Sequence, residues 1–172
     1  KNADKRRQQL LTATLRSIVS NGLTKTTLAT VATEAGLSQG VAVFYFHSKT
    51  GLLTEALREQ YQIYENNWKS LLAKAGPDPL DQLLAMIKAD FAPKICGPEA
   101  LSIWFAFWGE QKFTPQYAEI SAQFDNSRTA AIRRICRKLV ADTPAGRADM
   151  VAAWIDTFTD GYWQKLHLFP KT

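Results

Sequence analysis

Residues 26–53 read TTLATVATEAGLSQGVAVFYFHSKTGLL, and the spacing inside this stretch decides the fold. Leu28, Val31, Ala32 and Ala35 follow the three- and four-residue steps that line one side of a helix. The pair Thr26-Thr27 starts that helix and Gly36 ends it. After Leu37, Ser38 is placed to cap a second short helix through Gln39, Val41, Ala42 and Phe44 to Tyr45, its hydroxyl accepting an unsatisfied backbone N–H. The product is helix, tight glycine-containing turn, helix. Isolated helices below about 12–15 residues are marginal in water, so packing must hold both. A short second helix carried across the first has the dimensions that enter a DNA major groove.

Charge points the same way. Residues 1–50 hold seven basic side chains (Lys1, Lys5, Arg6, Arg7, Arg16, Lys25, Lys49) against Asp4 and Glu34, a net of +5, while residues 51–172 hold fourteen of each sign. The whole positive excess therefore sits beside the helix-turn-helix. Phosphate neutralisation supplies most non-specific DNA affinity, so this segregation marks a phosphate-facing surface.

The same stretch resembles the amino-terminal domain of TetR-type transcriptional repressors. The matching features are an amphipathic first helix over 9–22 that ends in glycine, the Thr26-Thr27 start, the A-x-x-A-G-L-S turn from Ala32 to Ser38, the aromatic run Phe44-Tyr45-Phe46, and Lys49 at the start of a long fourth helix. Val43 departs from the pattern: the family commonly has Tyr there, and Val brings no hydroxyl for the phosphate contact usual at that place. WFAFWGEQKFTP over 104–115 and DGYW over 160–163 are similar to segments of the choline-responsive repressors of the family, as are Phe44-Tyr45-Phe46 and Thr50-Gly51-Leu52-Leu53. The resemblance implies an all-α protein with a three-helix DNA-binding domain over residues 1–48 and a ligand-binding and dimerisation domain over 49–172. It further implies a homodimer through the last two long helices, a palindromic double-stranded operator, and choline or another quaternary ammonium compound as the effector that releases it.

Along the rest of the chain only helices are legible. Leu10, Leu11, Thr14, Leu15, Ile18 and Val19 keep a helical period over 7–21, with Gly22 as the stop. Ser48 is the expected cap of a helix that buries Leu52, Leu53, Ala56, Leu57, Tyr61, Tyr64, Trp68, Leu71 and Leu72, well beyond the mean helix length of about 11–12 residues. Asp78-Pro79, Gly97-Pro98, Thr114-Pro115 and Thr143-Pro144 each place proline at a first helical position, where its missing N–H has no partner to lose. Eight or nine helices follow, with no strand alternation and no repeat.

For DNA, phosphate contacts are expected from Thr27, Ser38, Tyr45, His47 and Lys49, with the N-terminal Arg/Lys group reaching further along the backbone. Base readout falls to Gln39, which can pair with purine edges, and to the apolar Val41, Ala42 or Val43, which can meet thymine methyls; Gly40 permits close approach. For the effector, Trp104 and Trp108 lie four residues apart with Phe105 beside them. Their negative ring faces suit a cation that has no hydrogen-bond donor. The same aromatics also build a core with no ligand at all. Further candidate walls are Tyr117, Trp154, Phe158 and Trp163, with Glu110 or Asp160 as counter-charge. The final helices carry apolar residues from Ile120 to Leu139 and from Met150 to Leu166, fitting a dimer face; Arg128, Arg133, Arg134, Arg137 and Lys138 among them read as a solvated face or pair network.

Enzyme chemistry finds no support. His47 and His167 are the only histidines, no Cys/His ligand cluster exists, and Ser38, Ser48 and Ser102 have no base at short range. No metal or cofactor is expected. Cys96 and Cys136, far apart in a chain of 172 residues, suggest neither a disulfide framework nor a metal cluster and fit a reducing, cytoplasmic setting. No apolar run approaches the roughly 18–20 residues of a membrane span, and KNADKRRQQ lacks the apolar core of a signal peptide. Two other readings fit parts of the chain: a helical adaptor or structural dimer without sequence-specific DNA binding, and a repressor for an unrelated apolar or aromatic ligand.

Overall fold

A computed structural model describes residues 2–141, 144 and 146–170. The described residues form nine helices: α1 (Asn2–Lys25), α2 (Leu28–Glu34), α3 (Gln39–Phe46), α4 (Lys49–Lys74), α5 (Pro79–Asp90), α6 (Pro93–Cys96), α7 (Pro98–Glu110), α8 (Pro115–Leu139) and α9 (Arg147–Leu168). They distribute over two compact units. One takes the chain through Gln60 together with Ser102–Ile120; the other takes Tyr61–Leu101 and the chain from Ser121 onward.

In the first unit α1, α2 and α3 pack on one another. α1 is longer at both ends than the apolar period predicts, but Gly22 (φ 75°, ψ 170°) leaves helical geometry inside it, so the expected stop is a break followed by one further turn. Glycine reaches that positive φ without the Cβ clash. Thr26, fully buried, then donates to the Gly22 carbonyl (2.9 Å) and meets the Ser17 hydroxyl (3.0 Å), tying the entry of α2 to α1. Thr27 is the N-cap of α2 and shares a reciprocal capping box with Thr30. Gly36, at φ 67°, turns the chain. Ser38 does hold the N-cap position of α3, but its side chain makes no capping bond, so the expected hydroxyl cap is corrected to a positional one.

The passage from α3 to α4 is tight. The Ser48 N–H donates to the Phe46 carbonyl (2.7 Å) around His47, whose φ of 63° makes this a γ-turn, a strained conformation for a residue with a Cβ. The Ser48 hydroxyl then accepts the Gly51 N–H (3.0 Å), capping α4 as its sequence position predicts. A Cβ at position 51 would fall 2.2 Å from the Phe46 carbonyl oxygen, so the turn itself demands glycine there.

The second unit is organised around a buried ion pair. Asp90, at the end of α5, is fully buried, and Arg128 of α8 donates Nε to it at 3.2 Å and a second guanidinium N–H to its other oxygen. Arg128 also binds Asp156 of α9. Tyr64 of α4 donates its hydroxyl to Asp90 (2.6 Å), and Trp163 of α9 donates its indole N–H to the Asp90 backbone carbonyl (3.1 Å). Four helices thus meet at one residue, Asp90. Against the burial that opposes charge, the Asp90 and Asp156 carboxylates hold the guanidinium firmly protonated. Arg128 therefore belongs to a pair network, while Arg133, Arg134, Arg137 and Lys138 are exposed on α8.

Proline opens α5, α7 and α8 as the sequence predicts, and also opens the short α6, which the periodicity does not reveal. Pro144 does not open α9. That helix begins at Arg147, with Gly146 at its cap in the left-handed region (φ 89°); the expected cap residue Thr143 lies outside the described residues.

Candidate functional site

α3 buries Ala42 and Phe46, one turn apart, and half-buries Val41 and Tyr45. Its opposite face is open: Gln39, Gly40, Val43, Phe44 and then His47 are exposed, with Ser38 ahead of them. Ala42 is fully buried, which corrects its expected contact with a thymine methyl: its methyl is sealed in the core. Gly40 has only ordinary contact on the protein side, the Ser38 hydroxyl 3.8 Å from a Cβ built there, and a helical φ. Nothing in the fold requires glycine at 40, and in a helix it is less stable than alanine. The omitted side chain leaves a notch on the outer face.

Thr27 is half-buried at the foot of α2, with its hydroxyl engaged in the capping box. Lys49 is half-buried and donates its ammonium to the Thr24 carbonyl (2.6 Å), which pins it between α4 and the turn before α2 and leaves further N–H groups directed elsewhere. The N-terminal cations divide. Arg7 pairs with Glu55 and Arg16 with Glu34 (3.2 Å), so these two are partly neutralised and the expectation that the whole basic group faces phosphate is narrowed. Lys5, Arg6 and Lys25 are exposed.

The aromatic candidates separate into the two units. In the first, Trp104 is fully buried and stacks on Trp108 (ring centroids 6.1 Å, planes 26° apart), while Phe105 meets Trp108 edge-on at 5.1 Å. Stacking occupies one face of Trp108, a half-buried side chain. Tyr117, also buried, lies edge-on to Phe107 at 5.0 Å, and its phenol is raised above its usual range by burial, with Glu110 adding to the effect. Glu110 is itself exposed but close enough to be felt there.

In the second unit Trp163 is buried against Tyr64 (5.7 Å) with its N–H given to Asp90. Asp160 is exposed. It acts on Asp125, whose carboxyl is pushed up to about 6 mainly by burial, with Asp160 and Asp156 adding repulsion against the pull of Arg128 and a hydrogen bond from Tyr61. Trp154 and Phe158 are 54% and 65% exposed, so their expected role as pocket walls is corrected: they stand on the open face of α9 with Met150, Tyr162 and Leu166. Sequence reasoning also missed Phe44, 72% exposed on α3, although its place two residues from the buried Ala42 and Phe46 on either side puts it on the outward face.

An open-faced helix carried across a supporting helix, on a module holding all the excess positive charge, defines a DNA-binding regulator of the helix-turn-helix class. Residues 10–56 match the family of bacterial regulatory proteins of the tetR type, and residues 79–172 match the carboxy-terminal part of BetI-type transcriptional repressors. The HTH-type transcriptional regulator BetI of Stenotrophomonas maltophilia R551-3 is 31% identical over 158 residues, covering 92% of this chain and 79% of that protein. Its counterpart in Paraburkholderia xenovorans LB400 is 33% identical over 162 residues, covering 92% and 80%. Among solved structures, a proposed transcriptional regulator from Saccharomonospora viridis, in complex with choline, superposes with a TM-score of 0.86 at 19% identity over 98% of this chain and 88% of that one. One from Pseudomonas aeruginosa PAO1 gives 0.88 at 22% identity, covering 98% and 82%. These two likenesses establish the fold.

The chain belongs to the TetR family, and its larger part is of the BetI type. It is thus a ligand-responsive, DNA-binding repressor by family and not a catalyst. Among the described residues no group of His, Cys, Asp or Glu could hold a metal ion, and no helix is long and apolar enough to cross a membrane.

Proposed function

We propose that this protein represses transcription as a homodimer on a palindromic operator and is released by choline or another quaternary ammonium compound. The observation that carries the effector is the Trp104–Trp108 stack with Phe105 at its edge, inside the segment matched to BetI-type repressors. A quaternary ammonium has charge but no donor, so aromatic faces attract it without hydrogen bonds, by about 2 kcal/mol or more once desolvated. Glu110, two residues after Trp108, supplies negative charge that reaches Tyr117. The choline complex of the Saccharomonospora viridis protein, on the same fold, lends the reading further support.

Calorimetric titration separates this from a purely structural aromatic core. Choline should bind, while the isostere with carbon in place of the quaternary nitrogen should bind far more weakly at the same volume. Trp108→Leu keeps much of the apolar area of a half-buried side chain, yet should weaken choline binding by about tenfold or more. Equal affinities for the charged and neutral compounds would remove the cation–π account.

On the DNA side the roles divide between backbone and base contacts. Thr27, Ser38, Tyr45, His47 and Lys49 hold phosphates, and Gln39 reads a purine edge from the first turn of α3. Lys49→Ala should weaken specific and random duplexes alike and lower the salt slope by about one. Gln39→Ala should instead reduce discrimination between them. Titration of each variant against both duplexes tests this, and an equal loss of discrimination in the two would contradict the division.

A further inference from the structure

Phe44 is the least expected residue on the open face of α3. It projects from the side opposite the buried Ala42 and Phe46, is 72% exposed, and has Gly40 one turn before it on the same side. Val43, 41% exposed, flanks it. Its ring meets only Tyr45, edge-on at 5.1 Å, among the described aromatic contacts. A phenyl ring offers no hydrogen-bond donor or acceptor, so it cannot read the polar edges of the bases. The apolar group in the major groove is the 5-methyl of thymine. The missing side chain at Gly40 leaves room for a base pair to come close to the ring.

We propose that Phe44 is a specificity-determining residue that recognises a thymine 5-methyl group in each operator half-site. This rests on the DNA-binding reading of the module, which the family match over residues 10–56 and the +5 charge of residues 1–50 support. The occupant follows from complementarity: a basic module brings the helix to a polyanion, and the most exposed apolar side chain on its outer face needs an apolar feature of the groove. Polar side chains at this place would read acceptors and donors instead. Because a 5-methyl on cytosine occupies the same place in the groove, Phe44 should also tolerate 5-methylcytosine better than cytosine at that position.

The experiment is a mutant cycle between protein and DNA. The protein first selects its duplex from a random library, and each thymine in the selected half-sites is then replaced by deoxyuridine, which removes only the methyl. Wild type should lose about fourfold in affinity for the one methyl covered, and about fifteenfold when the symmetric pair is replaced. Phe44→Ala should bind the thymine and deoxyuridine duplexes within about twofold of each other, whereas Phe113→Ala, which truncates an equally exposed phenyl outside α3, should keep the wild-type difference. Phe44 is largely exposed, so its truncation leaves the core intact, and a melting temperature within a few degrees checks this. Wild-type affinity unchanged at every thymine replaced, with tight binding retained, would overturn the role of Phe44 and leave the repressor reading standing. Loss of methyl sensitivity in Val43→Ala and not in Phe44→Ala would overturn it too. A protein that selects no duplex at all would overturn both.

Discussion

Phe158→Asp should sediment as a monomer at micromolar concentration, where the wild type sediments as a dimer, and should lose affinity for a palindromic duplex by about 10²–10⁴-fold. The reason lies in the open face of α9. Met150, Trp154, Phe158, Tyr162 and Leu166 follow one another at four-residue steps and are each at least 36% exposed. A continuous apolar stripe of this kind, three of its members large aromatics, is what self-complementary interfaces are made of. Phe158 stands at its centre. A carboxylate introduced there would have to be buried twice across a two-fold axis without a partner, which opposes association by several kcal/mol. Two recognition helices held together bind a palindrome by combined contacts, so the monomer keeps only half-site affinity. An isolated half-site duplex is the control, and its affinity should not change. A variant that still sediments as a dimer and still binds the full palindrome would contradict the placement of the interface on α9.

Arg128→Met should cost about 3–5 kcal/mol of stability, the range for leaving a buried charge without its partner. Asp90 is fully buried and receives two N–H groups of the guanidinium, so removal of Arg128 leaves it with the Tyr64 and Thr159 hydroxyls only. Asp156 would lose the same partner but is half-exposed to water and should suffer less. Replacing both members, Asp90→Asn with Arg128→Met, should recover a large part of the loss, because the only carboxylate then left without Arg128 is Asp156, which water reaches. Denaturant unfolding of the two single variants and the double variant measures this directly. A double variant as unstable as the sum of the singles would show that packing around the side chains, and not the charge, sets the cost.

Local signals in the sequence carried far in the first unit. Thr27 and Gly36 bound α2 because capping and positive φ depend on the residue itself and its immediate neighbours. The prolines at 79, 98 and 115 mark helix starts for the same reason. Pro144 failed as such a mark, since the chain begins α9 three residues later behind a left-handed Gly146, and nothing local to the proline fixes which of several turns ends in the helix. Ser38 shows the limit from the other side: its place is set by sequence, but the direction of its hydroxyl is not.

What periodicity cannot do is say against what a face is buried. Trp154 and Phe158 have the same apolar character as Trp163, and only the three-dimensional arrangement places Trp163 beside Tyr64 and leaves the other two open. Arg128 looked like one cation among five on α8. Its burial comes from Asp90 and Asp156, 38 and 28 residues away in sequence, and so has no local signature. Phe44 was hidden by the aromatic run around it, in which Phe46 is core and Tyr45 is half-buried.

The most direct test of an effector-controlled repressor is the affinity for the selected palindromic duplex, measured at fixed salt as choline is added. The account predicts that affinity falls as the larger part of the molecule fills, and that the duplex weakens choline binding by the same factor, since coupling between two sites is reciprocal. The isostere with carbon in place of nitrogen should leave the duplex bound. Operator affinity that stays constant while calorimetry shows choline bound would contradict it.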